Sequence, residues 1–376
     1  MTAGDETESA EVATATIRGS DFTVVTGHEL LRATARDWAA YTSATPFRVP
    51  IPEESDVRPV RQLPIETDPP EHRTYRQLIE HRFSRSAAER IRPTVTQAVD
   101  RALGSAVAAG RLDVIGELAL PVVTTAIAAT MGRPDDADRF VSWGLHVFRD
   151  PSTGTRSANA DLDRYLADRT DAAMAAPGDD IFGDLARARP DGRSLGRDEI
   201  LGFGYLVLAG GRDTVIAAIA GSLAHLTVHT GDRARLRTDP AMLPVAIDEF
   251  LRFFSPLPMI GRTATGEGDL GGTAVRPGDR VALGFAAANR DDRVFDEPDR
   301  IVIDRSPNRH VAFGHGPHTC IGAPLARMEL AAVIERFLRL ERCELIEPST
   351  WSAGSAQRAA ASTHASTPSE LVLGVE

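Results

Sequence analysis

The chain has 376 residues, 42% of them hydrophobic, with a mean hydropathy of -0.17 and a formal net charge of -11. That balance describes a globule with a sizeable core and excludes the basic surface that a nucleic-acid partner calls for. Two cysteines are too few for a disulfide framework, and the acidic, Ala/Thr-rich first 15 residues lack the apolar core of a signal peptide or membrane anchor.

In chain order, residues 1–15 read as a disordered tail and 16–376 as a single domain, because no Ser/Pro/Gly-rich linker divides them. Phe22-Thr23-Val24-Val25 alternates weakly and predicts a strand; 29–37 predicts a short helix. Residues 43–65 form a Pro-rich loop of the kind that carries function. Asp68-Pro69-Pro70 opens a helix, with an acid at the N-cap and prolines in the first turn. Helical patterns follow at about 90–110, 118–131, 135–148, 158–175 and 181–188. The longest, about 198–229, is apolar almost all round and is expected at the centre, interrupted at Ala209-Gly210-Gly211. Another helix covers about 241–254. Residues 261–283 are turn-rich, with strands at 273–275 and 280–283, and a loop of Asp, Arg and Pro fills 289–309. A glycine-rich turn precedes a last helix at about 323–340, then Cys343 in an apolar core strand and a strand at 371–373. The fold class is mainly α with small β-sheets.

Four constellations carry chemistry. The first is Phe313-Gly314-His315-Gly316-Pro317-His318-Thr319-Cys320-Ile321-Gly322-Ala323. A cysteine in a glycine turn that opens a helix is held as a thiolate by backbone N–H groups and the positive helix end. With no second cysteine beside it, the sulfur suits one axial bond to haem iron better than zinc or iron–sulfur ligation. The second is Gly210-Gly211-Arg212-Asp213-Thr214 inside the long apolar helix. Two glycines there cost about 1 kcal/mol each against alanine. A local opening that makes room for a ligand and frees a carbonyl offsets this; simple kinking for helix packing is the other reading. Asp213 and Thr214 supply an acid and a hydroxyl able to pass protons. Third, Glu249 and Arg252 lie at i, i+3 between apolar flanks, so a buried pair needs further partners. Fourth, His72 and Arg76 lie at i, i+4 on the helix after Pro70, either a donor pair or a solvated face.

The spacing F-x-x-G-x-x-x-C-x-G resembles the haem-binding signature of the cytochrome P-450 family. Ala209 to Thr214 resembles its central-helix motif, Glu249-Phe250-Leu251-Arg252 its E-x-x-R motif, and His72 with Arg76 its H-x-x-x-R motif. Asn289-Arg290-Asp291 with Phe295 and Pro298-Asp299 resembles a further loop of the family. The resemblance covers about residues 60–340. It implies the P-450 fold, with haem b between the long central helix and the cysteine loop and C-terminal helix. It assigns Cys320 as the metal ligand and sets Phe313, Gly314, Gly322 and Ala323 around it. It makes His72, Arg76, Arg262 and His318 donors to the propionates. Gly210 would shape the oxygen groove, Asp213 and Thr214 would serve oxygen activation, and Arg305 would join Glu249 and Arg252 beneath the haem. Arg212 receives no role. The N-terminus is short against the family's pattern, so its first helix is expected to be missing.

The same resemblance implies a monooxygenase working on a medium-sized hydrophobic molecule, by hydroxylation or epoxidation, in natural-product, terpenoid, steroid or polyketide metabolism. Electrons would come from a separate ferredoxin and ferredoxin reductase, or a flavodoxin, in a bacterial cytoplasm, with no membrane and no nucleic acid involved. Leu206, Ala209, Leu257, Pro258 and Met259 are the expected pocket walls. A peroxide-driven enzyme, a desaturating or coupling enzyme and a non-catalytic haem sensor stay open as alternatives; the intact Asp213-Thr214 pair argues against the first and the last.

Overall fold

Helices dominate the computed structural model, which describes residues 11–17, 20–44, 60–145, 160–346, 350–352 and 367–376. They are α1 (His28–Arg36), α2 (Glu71–Ile79), α3 (Arg85–Ala109), α4 (Leu120–Thr130), α5 (Ala137–Ser142), α6 (Ala160–Ala175), α7 (Ile181–Arg187), α8 (Arg197–Gly211), α9 (Asp213–Val228), α10 (Thr230–Thr238), α11 (Leu243–Phe254), α12 (Phe285–Ala288) and α13 (Ala323–Phe337). The strands are β1 (Val12–Ile17), β2 (Ser20–Val25), β3 (Tyr41–Thr42), β4 (Arg111–Asp113), β5 (Ile260–Ala264), β6 (Gly268–Leu270), β7 (Thr273–Val275), β8 (Arg280–Leu283), β9 (Cys343–Leu345), β10 (Thr350–Ser352), β11 (Thr367–Glu370) and β12 (Val372–Val375).

Local chemistry sets several boundaries. Ser84 accepts from the Ala87 N–H at 3.2 Å to start α3, and Gly110, at φ 68°, ends it in the left-handed region. Asp180 caps α7 through the Gly183 N–H at 2.9 Å. The central apolar run is two helices, α8 and α9, broken at Arg212 (φ -105°, ψ -77°). Both are sheathed by other helices: α6 lies against α8, while α11 and α13 lie against α9. By length and composition the 197–228 and 114–131 stretches could cross a bilayer, but most of each is buried inside the protein, as core helices are.

The main sheet has the order β1-β2-β8-β5-β3. β2 and β8 pair in parallel, with Thr23 opposite Val281, and the remaining pairs are antiparallel. β4, β12 and β9 form a second sheet that holds Cys343 in the core.

Two expectations need correction. Residues 12–15, assigned to a disordered tail, belong to β1, paired along its length with β2. Ala15 is buried there with Phe22, Val24 and Ala282; its small, Thr-alternating neighbours give little hydrophobic signal, and the pairing supplies the order. The helix expected over 135–148 ends at Ser142, and its last residues, 146–148, lie outside the described residues. So do residues 1–10 and most of the 43–65 loop.

Candidate active site

The cysteine loop is built by two glycines in the left-handed region, Gly314 (φ 71°) and Gly316 (φ 73°). They fold 313–320 back so that the Cys320 N–H donates to the Phe313 carbonyl at 2.8 Å. At Gly316 the turn also passes over α1: a Cβ there would sit 2.7 Å from the Ala35 carbonyl oxygen. Gly316→Ala therefore combines backbone strain with a clash against backbone, and is expected to cost about 1–3 kcal/mol. Urea unfolding of the variant measures it.

Cys320 lies deep in the protein, yet its side chain has accessible surface, so it faces an internal hollow. Burial pushes its thiol up; the N–H groups of Gly322 and Ala323 and the charges of Arg76 and Arg327 pull it back toward thiolate.

The central helix shows the same pattern. Along α8 and α9 most side chains are buried, but Leu206, Ala209, Gly210, Gly211, Asp213, Thr214 and Ala217 are not. Their spacing by three and four places them on one stripe. A Cβ on Gly210 would meet nothing within 4 Å, so the stripe opens on space. The break at Arg212 frees the Gly210 carbonyl, which accepts from the Thr214 hydroxyl at 3.1 Å. Asp213 keeps one carboxylate oxygen, Oδ1, buried without a hydrogen-bond partner among the described residues. Arg212 points away from the stripe, is 2% exposed and donates to the Gly144 carbonyl.

A third group is rich in hydrogen-bond donors, two arginines and two histidines. His72 and Arg76 on α2, Arg262 on β5 and His318 in the cysteine loop come together, the His72 and His318 rings 4.2 Å apart. Arg262 is buried and, among the described residues, bonds only the carbonyl of its own neighbour, Gly261, at 2.8 Å. His318 Nε2 lies at hydrogen-bond distance, 3.2 Å, from Ser43 Oγ, while its Nδ1 is buried with no partner among the described residues. Arg76 donates to the Thr319 carbonyl at 2.8 Å. Burial and then neighbouring cations depress the bases: His72 falls to about 4 and His318 to about 2, and burial brings Arg262 down to about 10. Asp68, anchored by the Ser43 N–H at 2.9 Å, is the acid that offsets Arg262. Buried donors crowded in this way call for anionic acceptors. With one cysteine sulfur nearby, the set fits a group that offers one metal position and two carboxylates, as haem does.

The depressed histidines predict a pH effect. Their folded-state pKa values lie below the usual 6.5, so the folded protein binds fewer protons than the unfolded chain. Stability of the haem-free protein is thus expected to fall as pH drops from 6.5 toward 4. Haem carboxylates at this cluster reduce that loss. Chemical unfolding of haem-free and haem-loaded protein between these limits checks it: equal slopes contradict the assignment.

Below the loop, Glu249 and Arg252 are fully buried and bidentate, at 2.8 and 2.9 Å. Glu249 also accepts from Arg305 Nε at 3.0 Å, Asn308 Nδ2 at 3.1 Å and the Val302 N–H at 2.8 Å. Arg252 donates to the carbonyls of Asn289, Pro298 and Arg300. Of the expected wall residues, Leu206 and Ala209 lie on the stripe, Leu257 is 40% exposed and Pro258 is partly exposed. Met259 is not on this surface: it is 1% exposed and packed with Phe22, Val24 and Ala282 under the main sheet, since its side chain takes the opposite side of the chain. Asp68, expected as the N-cap of α2, does not cap it: the N-cap is Pro70 without a side-chain hydrogen bond, and the Asp68 carboxylate accepts from Thr42 and the Ser43 N–H instead. Ser43 went unassigned in the sequence, since no short spacing links it to its partners.

A cysteine in a glycine turn, a broken central helix and a cluster of buried donors are the features expected of a haem-thiolate protein. Residues 233–350 match the family model "Cytochrome P450". The chain is 33% identical over 340 residues to cytochrome P450 monooxygenase PikC of Streptomyces venezuelae, covering 87% of this chain and 79% of that protein. It is 33% identical over 336 residues to pentalenic acid synthase of Streptomyces avermitilis, covering 88% and 84%. A solved carbohydrate-active P450 superposes with a TM-score of 0.87 at 30% identity, covering 98% of this chain and 96% of the other. The chain belongs to the bacterial cytochrome P450 family and is a monooxygenase, with haem held by a cysteine thiolate.

Proposed function

We propose that this chain uses haem b to insert one oxygen atom from dioxygen into a medium-sized hydrophobic molecule of natural-product, terpenoid, steroid or polyketide type. The observation that carries the reading is the accessible stripe on α8 and α9. It sets an unpartnered acid oxygen and a hydroxyl among small and apolar residues inside the protein. In this reading the stripe and the Cys320 sulfur bound one chamber.

Cys320 would ligate the haem iron, and His72, Arg76, Arg262 and His318 would hold its carboxylates. Bound haem supplies oxygen activation, which a thiolate ligand favours by donating electron density. Leu206, Ala209, Leu257 and Pro258 orient the apolar substrate and exclude water. Asp213 takes up protons from solvent and Thr214 holds one over the freed Gly210 carbonyl. A separate ferredoxin and reductase deliver electrons in the bacterial cytoplasm, the ferredoxin docking near Arg73 and Arg327. Relatives named as a steroid C26-monooxygenase and a 20-oxo-5-O-mycaminosyltylactone 23-monooxygenase support the substrate class.

The test is a spin-shift binding screen of macrolides, terpenoids and steroids, followed by turnover with ferredoxin and reductase. Spin-shifting ligands that return with one added oxygen support the reading. Ligands that shift the spectrum and come back unchanged, with no oxygen consumed, favour a sensor.

A further inference from the structure

Next to Glu249, α11 carries a second acid, Asp248, which the site described above does not use. Its Oδ1 accepts from Arg327 Nε at 2.8 Å and lies 3.5 Å from His310 Nε2. Arg327 is in the second turn of α13, seven residues after Cys320. Its guanidinium carbon stands 4.6 Å from the centroid of the Phe313 ring. The His310 ring lies 5.8 Å from the same centroid, and its Nδ1 accepts from the Ala312 N–H at 3.2 Å.

Phe313 is therefore gripped by a cation and an imidazole, and both are tied to one carboxylate. The carbonyl of that same Phe313 is the acceptor for the Cys320 N–H, at 2.8 Å. The charge of Arg327 also reaches the sulfur directly. The three side chains come from α11, the cysteine loop and α13, so the loop is fixed from both ends. None of these three residues is among the partners of the Glu249 network described above.

We propose that Asp248, Arg327 and His310 are positioning residues that set the electrostatic field on the Cys320 sulfur, and through it the reduction potential of the iron bound there. The proposal rests on Cys320 being the iron ligand. The physics fixes signs. Arg327 contributes positive charge near the sulfur, which favours adding an electron to the iron; Asp248 partly cancels it. Arg327 and Asp248 are both partly exposed, so the effect weakens with salt.

The experiment is spectroelectrochemical titration of the ferric/ferrous couple in haem-loaded D248N, R327Q, R327K and the D248N/R327Q double variant. Only proteins whose reduced carbon-monoxide spectrum matches the parent's are compared, so a failure of thiolate ligation shows itself separately in that spectrum. The expected result is a rise in potential for D248N, a fall for R327Q and a double variant between the two, close to the parent. R327K keeps the charge and stays near the parent. Shifts of the same sign in D248N and R327Q, or none in either, overturn the proposal, because loss of a merely structural clamp has no charge-dependent sign. If R327Q does not hold haem, D248N decides: a rise, with R327K unchanged, supports the proposal, and a fall or no change ends it.

Discussion

Glu249→Ala is expected to destabilise the protein by about 3–5 kcal/mol, the cost of leaving buried charges without their partner. Glu249 and Arg252 have no exposed side-chain surface, and Arg305 is nearly as buried. Removing the carboxylate strands both guanidinium groups and the Val302 N–H at once. A loss of that size is a large share of a domain's usual 5–15 kcal/mol. The network also fixes 289–305, the chain that leads into the cysteine loop, so haem retention should fall with stability. Glu249→Gln keeps the shape and part of the hydrogen bonding, and is expected to fall between the two. Urea unfolding and haem content of purified protein measure both effects. A Glu249→Ala protein within about 1 kcal/mol of the parent would show that these contacts are worth no more than surface ion pairs.

Asp213→Asn is expected to slow product formation by about 10²–10⁴-fold, the range attributable to a positioned proton-transfer group. The amide keeps the size of the carboxylate but cannot pass a proton on. Asp213 lies on the accessible stripe with Oδ1 unengaged among the described residues, so the substitution breaks no hydrogen bond of that oxygen and should not disturb the helix. Substrate affinity and the thiolate spectrum are therefore expected to stay as in the parent, while electrons are diverted from product to peroxide. The informative ratio is product formed per electron pair supplied. An unchanged ratio would remove Asp213 from the proton path.

Much of this was legible in the sequence because it is local. The cysteine turn, the glycines that break the central helix and the i, i+3 and i, i+4 pairs are short-range patterns with direct mechanical consequences. The all-round apolar character that placed 198–229 at the centre belongs to the same class. What the sequence hid is long-range or depends on which way a side chain turns. β1 becomes a strand only through β2, and the sheet closes only when Thr23 meets Val281. In the run Leu257-Pro258-Met259 every residue is apolar, so hydrophobicity could not say that Met259 turns away beneath the sheet. Ser43 reaches His318 across 275 positions, and Asp248 reaches Arg327 across 79. Neither spacing carries a periodic signal. The accessible stripe was hidden for another reason: an all-round apolar helix looks the same whether one face meets a neighbour or a chamber.

One bond, from the Cys320 sulfur to haem iron, underlies the proposed chemistry. The carbon-monoxide difference spectrum of the reduced, haem-loaded protein tests it most directly, with Cys320→Ser as the paired control. The prediction is the strongly red-shifted Soret band that thiolate ligation gives, lost in Cys320→Ser together with monooxygenation. A blue-shifted band typical of a neutral ligand in the freshly prepared parent, or a red-shifted band that survives Cys320→Ser, would contradict it.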